Sequence, residues 1–557
     1  MKKFFIMAVM AAGLAVTSCS SRPEITAEYN IVPLPVEVTP QQGSAFKLSG
    51  KTVICYTAGD TALQKNAELL AEYLKTLTGT DLKITEQAKD NDAIVLVADL
   101  QNSNPEAYTL TVNDKLIVIN GASAAGNFYG INTLRKSIVE AGDHDVIFPP
   151  VEITDEPRFA YRGTHFDVVR HFFPVDSVKE YIDMIALHNV NTLHWHLTDD
   201  QGWRVEIKSR PELTTVGAVR KGTMVGTDFN SNDSIPYGGF YTQDEIRDIV
   251  KYAADRHINV IPEIDLPGHM VAALKAYPQL GCTGGPYEVW GKWGVSEDLL
   301  CAGNDSTLLL IDDVLNEVMD LFPSEYVHIG GDECPKVRWE NCAKCQAKIK
   351  QLGLKKDSHS TAEQKLQSYV MDHASKTIAD RGRKAIGWDE ILEGGAPEST
   401  VVMSWRGLEG AIQAAATGHD AIMTPVQYCY FDYVQAPDSI TDEILLPYHT
   451  YLPIEKVYSF EPVPESLTPE QASHILGAQA NVWTEYMPTM NYVQYKVLPR
   501  LAAMSEVQWV DPSRKDFGDF KRRLGQLRHQ YDAEGYNYAK FVFEEEADAS
   551  PITEVEP

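Results

Sequence analysis

Positive charge is scarce in this chain. Its 557 residues carry 49 Lys and Arg against 78 Asp and Glu, a formal net charge of −29 at pH 7. Such a surface repels polyanions, which excludes nucleic acid and an acidic membrane surface as partners and favours neutral ligands. Long apolar runs are also missing: beyond the amino terminus, no stretch is long enough to span a bilayer. Cysteine is sparse. Seven of the eight cysteines follow Cys19, an odd number that leaves at least one unpaired within the chain.

The amino terminus departs from this pattern. Lys2 and Lys3 form a basic segment, residues 4–16 an apolar one, and Val16-Thr17-Ser18-Cys19 a small-residue cleavage site. A cysteine at that point resembles a bacterial lipobox. The resemblance implies a lipoprotein signal peptide over 1–18, a lipid anchor on Cys19, a tether over 19–28, and an exported, membrane-anchored chain on the periplasmic or cell-surface side of a bacterial envelope.

The most informative stretch is His328-Ile329-Gly330-Gly331-Asp332-Glu333. An apolar run over 326–329 reads as a short buried strand that two glycines break, leaving two carboxylates at its carboxyl end. Adjacent buried carboxyls cannot both ionise cheaply, so one should be held protonated and the other charged, an acid beside a stabiliser. In an ordinary retaining glycosidase the acid and nucleophile flank the sugar about 5 Å apart. Neighbouring residues can hardly straddle an anomeric carbon. With Glu333 as the acid, the nucleophile is left to a group on the substrate, such as a 2-acetamido carbonyl.

Organisation along the chain supports a large catalytic unit behind a smaller one. Over 29–156, short β-rich runs at 51–56, 93–97, 108–112 and 115–119 surround helical stretches at 62–76 and 122–140, an α+β accessory domain. Over 157–535 the pattern becomes a regular alternation, with strands predicted at 161–168, 191–197, 259–264, 326–329, 384–388, 400–405, 421–424 and 475–483. Helices are predicted at 175–188, 308–322, 411–417 and 491–509, and capping-box signatures begin two more at Thr242 and Thr361. Eight such strands imply an α/β fold, a (β/α)8 TIM barrel. The remaining segment, 536–557, is acidic at its end and reads as a disordered tail.

A barrel carries its chemistry at the strand carboxyl ends. Those ends supply Asp167, Asp199 and Asp200, Glu263, Asp265 and His269, Asp332 and Glu333, Trp388 and Asp389, Trp405, Tyr430 and Asp432, and Trp483 and Glu485. Carboxylates interleaved with aromatics describe a pocket for a ring rich in hydroxyls with one apolar face.

At these residues the chain resembles the family 20 glycoside hydrolases, exo-acting β-N-acetylhexosaminidases. HIGGDE, HWHLTDDQGWR, PEIDLPGH, GWDE and NVWTE carry the resemblance. It implies substrate-assisted retention through an oxazolinium intermediate, acting on glycans that end in a β-linked N-acetylhexosamine, GlcNAc or GalNAc. Carried over, Glu333 is the acid and base, Asp332 orients the acetamido group, and Tyr430 donates to its carbonyl. Trp388, Trp405 and Trp483 box the sugar, while Arg162, Asp432 and Glu485 clamp its hydroxyls. Asp200 and His269 form a pair that supports Glu333.

No cofactor and no metal are expected. The H-x-H of His194 and His196 is one candidate metal motif, but the later strands offer tryptophans where further ligands are needed. Cys334, Cys342 and Cys345 are three clustered thiols without a clear fourth ligand, and Cys282 and Cys301 bracket an entrance loop as a possible staple. A carbohydrate-binding protein without turnover is the other alternative. It is disfavoured because no member of the acid, orienting or acetamido-contacting set is missing.

Overall fold

The computed structural model describes residues 29–141, 145–397, 399–436 and 450–544. The expected leader, Cys19 and the tether lie outside the described residues. Eight strands close into a barrel in chain order: β1 Tyr161–Asp167, β2 Thr192–His196, β3 Asn259–Leu266, β4 Tyr326–Gly330, β5 Lys384–Trp388, β6 Val401–Ser404, β7 Ala421–Met423 and β8 Ile475–Ala480. All neighbours pair in parallel, and β8 returns to β1 through Tyr161↔Gly477 and Thr164↔Ala480. Each expected strand is present with small shifts at its ends.

Because every second side chain of a strand faces the same way, the barrel sorts its residues by parity. Trp195 of β2 faces outward against Tyr241, ring centroids 4.9 Å apart. Its neighbours His194 and His196 face inward, where they meet His165 of β1. Phe166 of β1 likewise turns out and stacks on Tyr181 of the helix Val175–Leu187 at 4.2 Å. Burying an aromatic of this kind contributes about 2 kcal/mol or more. The outer contacts thus carry the apolar packing, which frees the barrel's interior for polar groups.

The accessory domain is a seven-stranded sheet in the spatial order Glu37–Pro40, Val151–Asp155, Tyr108–Val112, Leu116–Gly121, Ala93–Val97, Val53–Tyr56 and Lys83–Thr85. The helices Thr61–Thr78 and Ala124–Lys136 lie against it. The second is buried on nearly all sides because the barrel covers its other face: Asn132 donates to the Ala186 carbonyl at 2.8 Å, and Gln530 to the Arg135 carbonyl at 2.8 Å. This helix ends at Lys136, short of the expected residue 140. The β-branched Ile138-Val139 pair leaves the helix, and Val139–Ala141 joins Asp145–Phe148 as an antiparallel strand.

Three further expectations need correction. The helix expected over 491–509 is two, Met490–Val497 and Arg500–Trp509, because Pro499 cannot continue the backbone hydrogen bonding of the first. Residues 536–543 are not a disordered tail. Tyr538 and Ala539 are buried, Tyr538 packs on Tyr531 at 5.2 Å, and the Ala539 amide donates to the Leu498 carbonyl at 3.1 Å. The acidic residues from 545 onward lie outside the described residues.

Arg162 is the third. It stands near the start of β1, at the opposite end of the barrel from the acid pair, and is 1% exposed. Its guanidinium pairs with Glu106 of the accessory domain at 2.5 Å, donates to the Asn189 carbonyl at 3.0 Å, and lies 4.9 Å from the Trp509 ring. It joins the two domains and does not line the cavity of the acid pair. Removing one member of a buried pair strands the other, so Arg162→Met should lower the unfolding free energy by about 3 kcal/mol. Denaturant titration checks this, and Glu106→Gln should recover part of the loss in the double variant.

Candidate active site

Gly330 and Gly331 end β4 with φ of 64° and 105°, a region that side-chain-bearing residues avoid. A Cβ on Gly330 would stand 1.7 Å from Asp265 Oδ1, and one on Gly331 would stand 2.7 Å from Ile391. The glycines therefore let the backbone turn sharply against β3 and deliver Asp332 and Glu333 to the barrel mouth. Glu333 itself holds φ 43°, a strained value for a residue with a side chain and of a kind that collects at functional sites. Gln367, donating to the Gly331 carbonyl at 2.7 Å, braces the turn from the helix Ala362–Ala379.

Behind the pair lies a buried charge network. His269 Nδ1 is 3.1 Å from Asp199 Oδ1 and 3.5 Å from Asp200 Oδ2, and its Nε2 points to Glu333 Oε2 at 3.6 Å and Asp332 Oδ2 at 3.8 Å. Burial opposes charge on this imidazole, yet Asp199 and Asp200 outweigh it and hold its pKa well above the ordinary value. The expected supporting pair is therefore a trio in which Asp199 is the nearer partner. Asp200 has a second task, accepting from the Val271 amide at 3.1 Å and the Ser296 amide at 3.4 Å, which ties the entrance loop to the network.

The two catalytic candidates titrate differently. The His269 imidazolium, 3.6 Å away, holds the Glu333 carboxyl below its usual range. Burial, reinforced by Glu333 and other carboxylates, pushes Asp332 up to about 6. Burial thus favours the proton on Asp332, while His269 favours the ionised form of Glu333. Exposure explains the ordering: the Glu333 side chain is 43% exposed and that of Asp332 14%. A ligand covering Glu333 would remove its hydration and shift the proton towards it.

Around this pair is a cavity of about 460 Å3. The structure brings Trp388, Trp405, Tyr430, Asp432, Trp483 and Glu485 into its wall with both carboxyls, as expected from the strand ends. Trp388 and Trp483 stand 6.2 Å apart at 42°, and Trp405 stacks on Tyr430 at 6.2 Å. Trp405 Nε1 donates to Glu390 at 2.9 Å, and burial raises that carboxyl to about 9. Asp332 Oδ1 and Asp432 Oδ1, of residues in the cavity wall, are buried and make no hydrogen bond to the protein. Lining the cavity as well, these oxygens are available to a ligand. A larger groove of about 690 Å3, around Lys365 and Arg406, contains neither member of the acid pair and no tryptophan.

Arg170, not Arg162, is the pocket's guanidinium. It lies 2.8 Å from Asp199, 3.2 Å from Asp167 and 4.0 Å from Glu485, with its carbon 4.8 Å from the Trp483 ring. Sequence reasoning placed the clamp on the arginine inside the strand. The one just beyond the strand's carboxyl end satisfied the barrel rule better, and that position was the available signal. Phe229, Trp293, Val295, Tyr433 and Tyr486 also line the cavity. Trp293 and Val295 come from the loop expected to shape the entrance, whereas nothing local in the sequence marks Phe229 or Tyr486.

The H-x-H histidines surround Glu263. His196 Nδ1 is 2.5 Å from its Oε2, His194 Nε2 is 3.0 Å from the same oxygen, and His328 Nδ1 is 3.1 Å from Oε1. Trp388 Nε1 donates to Oε1 at 3.0 Å. Burial works against the Glu263 charge, but these imidazoles hold its carboxyl well below the usual range.

Comparison with known proteins agrees with this geometry. The model of Glycosyl hydrolase family 20, catalytic domain, matches residues 159–512, and that of Glycosyl hydrolase family 20, domain 2, matches residues 28–156. A beta-hexosaminidase of Porphyromonas gingivalis is 42% identical over 553 residues, covering 97% of this chain and 68% of the relative. A beta-N-acetylhexosaminidase of Cellulomonas fimi is 32% identical over 516 residues, covering 91% and 95%. Among solved structures, the exo beta-N-acetylglucosaminidase of Vibrio harveyi in complex with N-acetylglucosamine superposes with a TM-score of 0.80 at 31% identity, covering 94% of this chain and 80% of that one.

Proposed function

The chain belongs to glycosyl hydrolase family 20, and from that premise we propose that its pocket removes terminal, non-reducing β-linked GlcNAc or GalNAc residues from glycans with retention of configuration. The observation that carries this reading is the placement of Asp332 and Glu333 side by side at one strand end, with Asp332 Oδ1 unpartnered inside a tryptophan-lined cavity. Two carboxyls so placed cannot act from opposite faces of C1. The substrate's acetamido oxygen supplies the nucleophile.

In the first step Glu333 gives its proton to the glycosidic oxygen as the C1–O bond breaks, and the acetamido oxygen forms the new bond to C1 from the opposite face. Asp332 accepts the acetamido N–H and offsets the positive charge of the oxazolinium, while the Tyr430 hydroxyl donates to the acetamido oxygen. Water, losing a proton to Glu333, then attacks C1 and reopens the ring. Trp388, Trp405 and Trp483 enclose the sugar and its methyl group. Arg170, Asp432 and Glu485 bind the remaining hydroxyls at the closed end, which supports removal of one terminal residue at a time. His269 returns positive charge to the side of Glu333 whenever that group is ionised.

Location belongs to the same reading. The basic, apolar and small-residue pattern ending at Cys19 supports export and a lipid anchor. Replacing Cys19→Ser should move the protein from the membrane fraction to the soluble fraction with its turnover of small aryl substrates unchanged.

Hydrolysis of an aryl N-acetyl-β-glucosaminide beside the matching aryl β-glucoside tests the mechanism. Only the acetamido sugar should be cleaved; equal cleavage of both would sink acetamide participation. Asp332→Asn should lower kcat/KM about 10²- to 10³-fold. Glu333→Gln should lose most with poor leaving groups, where acid assistance counts for most.

The reactive form holds one proton on the pair, since one carboxyl must donate a proton and the other must be ionised. That form is lost as pH rises through the upper step, set near 6 by Asp332. kcat/KM should therefore decline above about pH 6. In the complex the covered Glu333 keeps its proton longer, so kcat should decline only at higher pH; coincident limbs in the two profiles would contradict this account.

A further inference from the structure

The acid pair's loop continues into a part of the molecule that the reaction does not use. Cys282, Cys301, Cys342 and Cys345 bring their sulfurs together so that all lie within 4.8 Å of one another. Cys301 is 3.6 Å from Cys345 and 3.8 Å from Cys342, and Cys282 is 3.8 Å from Cys345. Four sulfurs bound tetrahedrally to zinc at about 2.3 Å would stand about 3.8 Å from each other. The contacts share sulfurs, Cys301 and Cys345 each touching two others, as the edges of a tetrahedron do and as two separate disulfides, each near 2.05 Å, do not.

Local structure points the same way. Cys342 caps the helix Ala343–Leu352 and Cys345 lies in its first turn, a C-x2-C knuckle at a helix start. The opposite half comes from the neck of the entrance loop, which an isolated bridge between Gly281 and Leu300 closes. Gly303 brings the two halves together: a Cβ there would stand 2.2 Å from the Lys344 carbonyl carbon and 2.4 Å from the Cys345 amide, so only glycine permits this approach. Cys301, Cys342 and Cys345 are buried. Cys334, expected to belong with Cys342 and Cys345, stands outside the group, and the ligands missing from the sequence cluster arrive from residues 282 and 301.

We propose that these four cysteines bind one zinc ion that fixes the entrance loop to the segment following Glu333. With four thiolates and no open position the site is structural, and the soft tetrahedral donor set suits zinc. Its mechanical role follows from connectivity. The loop between Cys282 and Cys301 carries Trp293 and Val295 into the pocket wall, and the segment from Glu333 to Cys342 begins at the catalytic pair. The Trp339 indole, donating to the Leu300 carbonyl at 2.9 Å, is a second link between the same two segments. The ion would thus hold one wall of the pocket at a set distance from the acid.

Metal analysis of the full chain, purified without added metal or chelator, tests this together with thiol counting by alkylation under denaturing conditions, with and without reduction. About one zinc per chain is expected, absent from Cys342→Ser and Cys345→Ser and retained in Cys55→Ser, a buried cysteine of the accessory domain. Chelation should free all four thiols to alkylation without reduction and lower Tm, and zinc chloride should restore it. Loss of the ion should raise KM more than it lowers kcat, because the wall moves and the acid pair stays. If the serine variants do not fold, the wild-type stoichiometry decides alone. Four cysteines that alkylate only after reduction would replace the zinc with two disulfides and overturn the proposal. Free thiols without metal would overturn it equally, and bound iron would overturn the assignment to zinc.

Discussion

The buried carboxylate of Glu263 is the constraint on which the barrel's catalytic half depends. It lies on β3, and the groups that satisfy it come from β2, through His194 and His196, from β4, through His328, and from β5, through Trp388. An isolated ionised carboxyl in such a place would cost many kcal/mol, so its partners cannot be displaced singly without exposing the cost of the charge. Four strands are thereby held in one register by one anion. Trp388, a wall of the pocket, takes its orientation from the same oxygen that approaches His328, four residues before Asp332.

Above this layer a second network controls protons. Asp199 connects the two, since it accepts from His196 at 3.0 Å and from His269 at 3.1 Å and pairs with Arg170. Its carboxyl stays ionised because Arg170 and His269 outweigh burial. A fixed negative charge there sustains the His269 imidazolium, which in turn favours the ionised form of Glu333. Glu333 is the more exposed of the two carboxyls, so a ring covering it would raise its proton affinity and link recognition to acid catalysis.

The accessory domain meets the barrel at the end far from this site. Its helix Ala124–Lys136 is buried between its own sheet and the barrel, and the Arg162 and Glu106 pair spans the boundary there. Strand β1 consequently has two duties at opposite ends, domain joining at Arg162 and pocket formation through Asp167, which accepts from Arg170 at 3.2 Å. The four-cysteine cluster performs a comparable joining at the mouth, between the entrance loop and the segment that leaves the acid pair.

Periodicity and punctuation were legible without coordinates. Apolar runs ended by Gly330 and Gly331, capping boxes at Thr242 and Thr361, and eight alternations of strand and helix are local signals, written within a few residues of the feature they specify. The strand ends followed from them, and so did Asp332, Glu333, the three tryptophans, Tyr430, Asp432 and Glu485. Matters set by distance in space were not legible. Arg162 lies inside β1 and Arg170 just beyond its carboxyl end, a position that hints at the mouth, but the partners each meets, Glu106 and Asp199, are brought to it only by the fold. Cys334 is nearer in sequence to Cys342 than Cys301 is, yet Cys301 makes the sulfur contact, because the approach at Gly303 is a tertiary event. The environments of the two carboxyls are decided there as well: adjacency dictates that Asp332 and Glu333 titrate apart, but only the fold buries Asp332 and brings His269 from another strand beside Glu333.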